Sequence, residues 1–173
     1  MSITITDLEG AEHDVFVALQ GGRLHAMVRC PDEATFDATA LSVRLLEHTN
    51  PAQPAVIDPE TEEVLQEAVE ASGPLKPVKH VTIARLGSLV LTKGTYDDEG
   101  NELTPPVVDH RFHANIWLGP PLVARGLWKK WFIEWTQNGQ DVADTNADEQ
   151  AKVLNSVELI DPPTVHSPWN VMQ

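Results

Sequence analysis

The sequence predicts an α+β fold: an antiparallel β-sheet packed by an aromatic-rich amphipathic helix, with two further helices in the N-terminal half and an extended C-terminal tail. Three observations predict it. Alternating runs bounded by Gly, Pro and Asp clusters recur along the chain, as half-buried strands require. Trp128, Trp131, Phe132 and Trp135 fall at i, i+3, i+4 and i+7, which places them on one face of a helix. Pro162, Pro163 and Pro168 punctuate a weakly charged end segment that also holds Trp169, Val171 and Met172. Residues 1–161 read as one domain and 162–173 as the tail. A chain of 173 residues buries enough surface to need no metal or disulfide staple.

The elements follow in order. Residues 2–6 alternate and form a short strand. Residues 14–20 and 23–30 flank Gly21-Gly22, the signature of a hairpin with a two-residue turn. Asp32 caps a helix that carries Phe36, Ala40 and Val43 at helical spacing and stops by Thr49. Residues 50–57, with two prolines, connect it to a second helix. There Asp58 is the cap, Pro59 the first helical residue, Val64, Leu65 and Ala68 the inner face, and Gly73-Pro74 the stop. Lys79–Leu86, Ser88–Tyr96 and Val107–Leu118 read as strands, with the acidic run Asp97–Asn101 as a turn. The aromatic helix spans Pro121 to Gln137, closed by Asn138-Gly139. Asn146–Glu149 resembles a capping box, and Val153–Ile160 a final strand.

Charge narrows the function classes. The net charge is −14. Residues 1–75 carry fourteen acids against three Arg, and residues 76–173 twelve acids against nine bases. Nucleic-acid binding needs clustered Lys and Arg to displace counterions, and no such cluster exists, so no direct nucleic-acid contact is expected. Anionic lipid is disfavoured for the same reason. No apolar run approaches the ~20 residues of a membrane helix, and no export signal is expected at the N-terminus. Cys30, the lone cysteine, has no partner for an intramolecular disulfide.

Candidate chemistry is sparse. His110 and His113 form His-x-x-His on a predicted strand, where i and i+3 point to opposite faces. One ring is therefore expected inside with a hydrogen bond and the other in solvent, with no shared metal. The Asp97–Glu102 cluster lacks the spacing of a calcium loop and reads as a solvated turn. Cys30 before Pro31 reads as a buried small hydrophobe rather than a nucleophile. No catalytic residue, metal site or cofactor is assigned.

The aromatic helix carries more information. Its four rings hold on the order of 800 Å² of apolar surface. At ~25 cal/mol per Å² that is too much to leave in water, given a net domain stability of roughly 5–15 kcal/mol. The rings belong either to the core or to a contact with another subunit. The interface residues expected from this reasoning are Trp128, Trp131 and Trp135, with Trp169 from the tail.

The stretch Gly94-Thr-Tyr-Asp-Asp-Glu-Gly-Asn-Glu-Leu-Thr-Pro-Pro-Val-Val-Asp-His-Arg-Phe-His-Ala-Asn-Ile-Trp-Leu118 resembles segments of small uncharacterised proteins encoded among the structural genes of tailed bacteriophages. Glu158-Leu-Ile-Asp-Pro162, with Ser167-Pro168 after it, is similar to their C-terminal ends. The likeness covers residues 94–173, and residues 1–75 take no part in it. It implies a structural component of the virion, a tail protein made in the host cytoplasm. Its partners would be other virion proteins and copies of itself. Two other readings stand beside this one. One is a cytoplasmic assembly chaperone whose acidic half shields a basic partner. The other is a small-molecule-binding or enzymatic domain with a pocket near His110, His113 and Trp117.

Overall fold

The computed structural model describes residues 2–143 and 157–161. Thirteen strands and three helices lie among them, in one five-stranded antiparallel sheet and four two-stranded ribbons. The protein is mostly β, which corrects the expected α+β class built on one sheet and two N-terminal helices. The tail 162–173 with Trp169, the capping box at 146–149 and the first part of the last predicted strand lie outside the described residues.

Strands β1 (Ile3–Thr6) and β2 (Glu12–Val15) pair around a turn at Asp7, whose carboxylate accepts the amides of Glu9 and Ala11. After a bend at Phe16-Val17, β3 (Ala18–Gln20) and β4 (Arg23–Cys30) form the predicted hairpin. Gly21 and Gly22 both take positive φ, 59° and 74°, the geometry that a two-residue turn matched to strand twist demands. Helix α1 (Glu33–Ser42) starts where predicted, with the Asp32 side chain accepting from Thr35 N at 2.7 Å. It ends earlier than predicted. Arg44 sits in the left-handed region (φ 63°), and Leu45 N reaches back to Ala40 O at 2.8 Å, so the chain turns out of the helix on a Schellman-type closure.

The second predicted helix does not exist. Residues 46–77 form one long hairpin. β5 (Leu46–Asn50) pairs with β8 (Ser72–Pro77), Gln53 bridges Val69, and β6 (Val56–Ile57) pairs with β7 (Val64–Gln66). Asp58 explains the misreading. Its carboxylate accepts the amides of Glu60 and Thr61, as a helix cap would, but Glu62 then takes φ 59° and the chain reverses. An N-cap and an Asx turn have the same local signature, and the β-branched residues on either side favour the turn's outcome.

Strands β9 (Val81–Thr92) and β12 (Val107–Leu118) are the long pair of the main sheet. Between them a small ribbon, β10 (Thr95–Tyr96) with β11 (Glu102–Thr104), carries the acidic turn, where Asp97 accepts from Glu99 and Asn101. The single aromatic helix expected over 121–137 is two helices, α2 (Pro120–Arg125) and α3 (Trp128–Ala143), parted by left-handed Gly126. Gly139 lies within α3 and does not cap it. A Cβ there would stand 2.5 Å from Leu159 O, so glycine lets α3 lie directly on β13 (Glu158–Ile160).

The main sheet runs β13-β4-β12-β9, with β3 beside β13 on the same edge of β4. One face carries Leu24, Ala26, Val28, Phe112, Ala114, Ile116 and Leu159 into the core, where α1 supplies Phe36 and α3 supplies Trp128, Phe132 and Trp135. The other face holds a small apolar patch of Met27, Leu89 and Ile160 beside a row of charges. Arg85 of β9 clamps α1 from outside, with Glu33 and Asp37 each at 2.7 Å and its guanidinium over Phe36.

Candidate functional site

A bulge in β12 builds the charge row. The register advances from Asp109↔Leu89 to His113↔Gly87, so β12 spends extra residues there while Gly87 turns left-handed (φ 64°). Asp109, Arg111 and His113, two apart, share one face. Cross-strand pairing then sets His113 opposite Arg29 of β4, and Arg29 opposite Glu158 of β13. Arg111 grips Asp109 through Nε (2.7 Å) and Nη2 (2.6 Å). Arg29 donates from Nη1 to Asp109 at 3.1 Å and from Nε to Glu158. His113 Nδ1 donates to the carbonyls of Gly87 and Arg111, both at 2.9 Å. Its Nε2 lies 3.5 Å from Asp109 Oδ2 and, like Glu158 Oε2, has no hydrogen-bond partner among the described residues.

Two part-exposed cations thus neutralise two buried carboxylates. Burial pushes the Asp109 carboxyl up, but the contacts with His113 and Arg111 outweigh it and hold the group well below the usual carboxylate range. Asp109 is ionised with both oxygens engaged by guanidinium groups, so it has no free lone pair aimed at a substrate. The cluster acts as a clasp joining β13, β4 and β12. A cavity of about 280 Å³ opens beside it, walled by Phe16, Leu91, Gln140 and Ile160. Cys30 is buried, and burial pushes its thiol up to about 12, so it is not a thiolate at neutral pH.

The side chains proposed to share a pocket do not. His113 is buried in the clasp and lines the cavity, and His110 is exposed. Trp117 stacks on His25 at 5.0 Å further along the sheet, where His25 Nε2 also meets Asn115 Oδ1 at 2.9 Å. Sequence reading missed Arg29, Asp109, Arg111 and Glu158. The available signal was Asp-x-Arg-x-His on a strand, which places three polar side chains on one face.

Among the tryptophans expected at an interface, Trp128 (7% exposed) and Trp135 (5%) pack inside this chain around Phe132. The Trp128 indole N–H donates to Val123 O at 3.0 Å. Trp131 is half-buried and, with one edge of Trp128, walls a second depression of about 400 Å³. This groove lies between the root of the 46–77 hairpin and helices α2 and α3. Leu122, Leu127 and Val78 give it apolar walls, and Leu127 is 60% exposed. Arg44, Lys79 and Arg125 stand on its rim with one acid, Glu47. The three cations are exposed and form no ion pair with a described residue.

The 46–77 hairpin is the groove's physical opposite. Every residue from 49 to 74 except Asp58 is exposed. Val56, Ile57, Val64, Leu65 and Val69 stand 47–64% exposed. Seven acids and no Lys or Arg lie between residues 47 and 75. Backbone amides of Glu60 and Thr61 hold the Asp58 carboxyl below its usual range. Comparison with known proteins adds no precedent for this arrangement: no family model, curated protein or solved structure matches the chain.

Proposed function

We propose that this chain is a structural component of a tailed-bacteriophage virion, a tail protein that works through contacts with neighbouring virion proteins and with copies of itself. The observation that carries the reading is the 46–77 arm, a two-stranded hairpin whose aliphatic side chains Val56, Ile57, Val64, Leu65 and Val69 stand exposed. Isolated two-stranded hairpins are marginal in water, and contiguous exposed apolar surface marks an interaction site. A subunit that builds such an arm gains stability when a neighbour covers it. The resemblance of residues 94–173 to proteins from phage structural gene blocks supplies the setting. Mass spectrometry of purified particles from a phage encoding the chain tests the reading. The protein is expected in the particles at fixed stoichiometry to other tail proteins. Its presence in the infected-cell lysate with absence from the particles would overturn the virion reading and favour an assembly chaperone.

A further inference from the structure

We propose that copies of this chain join head to tail, the acidic arm of one seated in the basic-rimmed groove at the arm root of the next. The proposal rests on the assembly reading above and adds to it the partner, a second copy, and both faces of the joint.

The two surfaces match in chemistry. The arm tip offers Ile57, Val64 and Leu65 among acids, and the groove offers Leu122, Leu127 and Trp131 within a rim of Arg44, Lys79 and Arg125. Apolar contact would be ringed by ion pairs, the usual arrangement of a specific interface. Among the described residues the three rim cations form no ion pair, and neither do the arm acids beyond Glu47.

Geometry demands a second molecule. The arm pairs along its length, from Leu46↔Pro77 through Asn50↔Ser72 and the single bridge Gln53↔Val69 to Ile57↔Val64, with a register shift in each of its two ribbons. Leu46 to Asp58, at ~3.3 Å per residue, reach roughly 40 Å. A paired ribbon of that length carries its tip away from its own root, where the groove lies, and no residue from 48 to 77 lines the groove. A contact between two different patches is heterologous, so repeating it gives a closed ring or a helical stack, the two forms a tube-like particle uses. The net charge of −14 opposes this only at long range. At 0.15 M ionic strength the Debye length is ~8 Å, and the touching charges decide.

Sedimentation velocity of the full chain at 0.15 M salt, over a range of concentrations, tests the joint with charge reversals on each face. One variant carries Glu63→Lys and Glu67→Lys on the arm, the other Lys79→Glu and Arg125→Glu on the rim. All four side chains are exposed, so both variants should keep the wild-type circular dichroism and melting profile. The wild type should form oligomers. Each variant alone should weaken association at least tenfold, because reversal cuts the net charge of the arm beyond Glu47 from −6 to −2 and turns the rim from +2 to −2. Mixing the two should restore pairing, since the intact arm of the rim variant meets the intact groove of the arm variant. Wild-type association that neither reversal weakens, or that mixing does not rescue, overturns this joint and leaves the virion reading standing. A wild type that stays monomeric at every concentration also overturns the joint, whereas the virion reading fails only if the protein is missing from purified particles.

Discussion

Two antiparallel hairpins of this protein draw on similar residues and meet opposite surroundings. β9 and β12 have the core on one face and the Met27 patch with the charge clasp on the other. Beyond its root, where Leu46 and Leu75 meet the core, the 46–77 hairpin has neither, and Val56, Ile57, Val64, Leu65 and Val69 face water. Strand propensity is alike in both, so propensity does not decide which hairpin is covered within the chain. The first is paid for by the helices and strands packed on it. The second is held by its ladder, the Asp58 turn and a few root contacts, such as Thr49 Oγ1 donating to Pro74 O at 2.7 Å. One region is covered within the chain, and the other leaves apolar surface exposed.

The contrast breaks most directly on truncation. Phe132→Ala removes a ring that is 1% exposed between Trp128 and Trp135 and should cost about 3–5 kcal/mol in denaturant unfolding. Leu65→Ala on the arm of the free chain should stay within about 0.5 kcal/mol. Equal losses at the two sites would show that the arm is packed in the isolated chain after all.

The clasp sharpens the contrast by pH. Because the native Asp109 carboxyl titrates below its ordinary 3.8, the unfolded chain takes up a proton there that the native state refuses. Its stabilisation is complete above that pH and is lost as pH falls from 3.8 toward the native value. Asp109→Asn should cost about 3 kcal/mol at neutral pH, by leaving Arg29 and Arg111 short of a counter-charge. It should also flatten the decline of stability below pH 4, read from melting curves across an acid series. A decline as steep as that of the wild type would assign acid sensitivity to other carboxylates.

Gly139 gives the smallest of the three effects and the most diagnostic sign. Ala is the better helix former by about 1 kcal/mol, so propensity alone predicts that Gly139→Ala stabilises. The 2.5 Å approach to Leu159 O predicts the reverse, a loss of roughly 1–3 kcal/mol as β13 is pushed off α3. Chemical denaturation decides, and a gain in stability would show that α3 and β13 are not in close contact.

Much of the fold was legible locally. The Gly21-Gly22 hairpin, the Asp32 cap, the turn at Asp97 and the opposite faces of His110 and His113 all follow from backbone preference and side-chain reach within a few residues. The misread elements share a cause. Asp58 satisfies two backbone amides whether a helix or a reversal follows, and Gly139 looks like a cap when read along the chain alone. The charge clasp was equally hidden, because Arg29, Asp109 and Glu158 lie far apart in sequence and meet only through strand register.

The sequence by itself determined the acidity of the first half, the turns at Gly21-Gly22 and Asp97 with the strands they join, and the apolar weight of the aromatic segment, since each is a property of neighbouring residues. Tertiary structure alone decided that Trp128 and Trp135 are interior while Leu65 and Ile57 are not. Burial depends on which distant surfaces arrive to exclude water, and side chains of equal hydrophobicity can be sorted only once that packing exists.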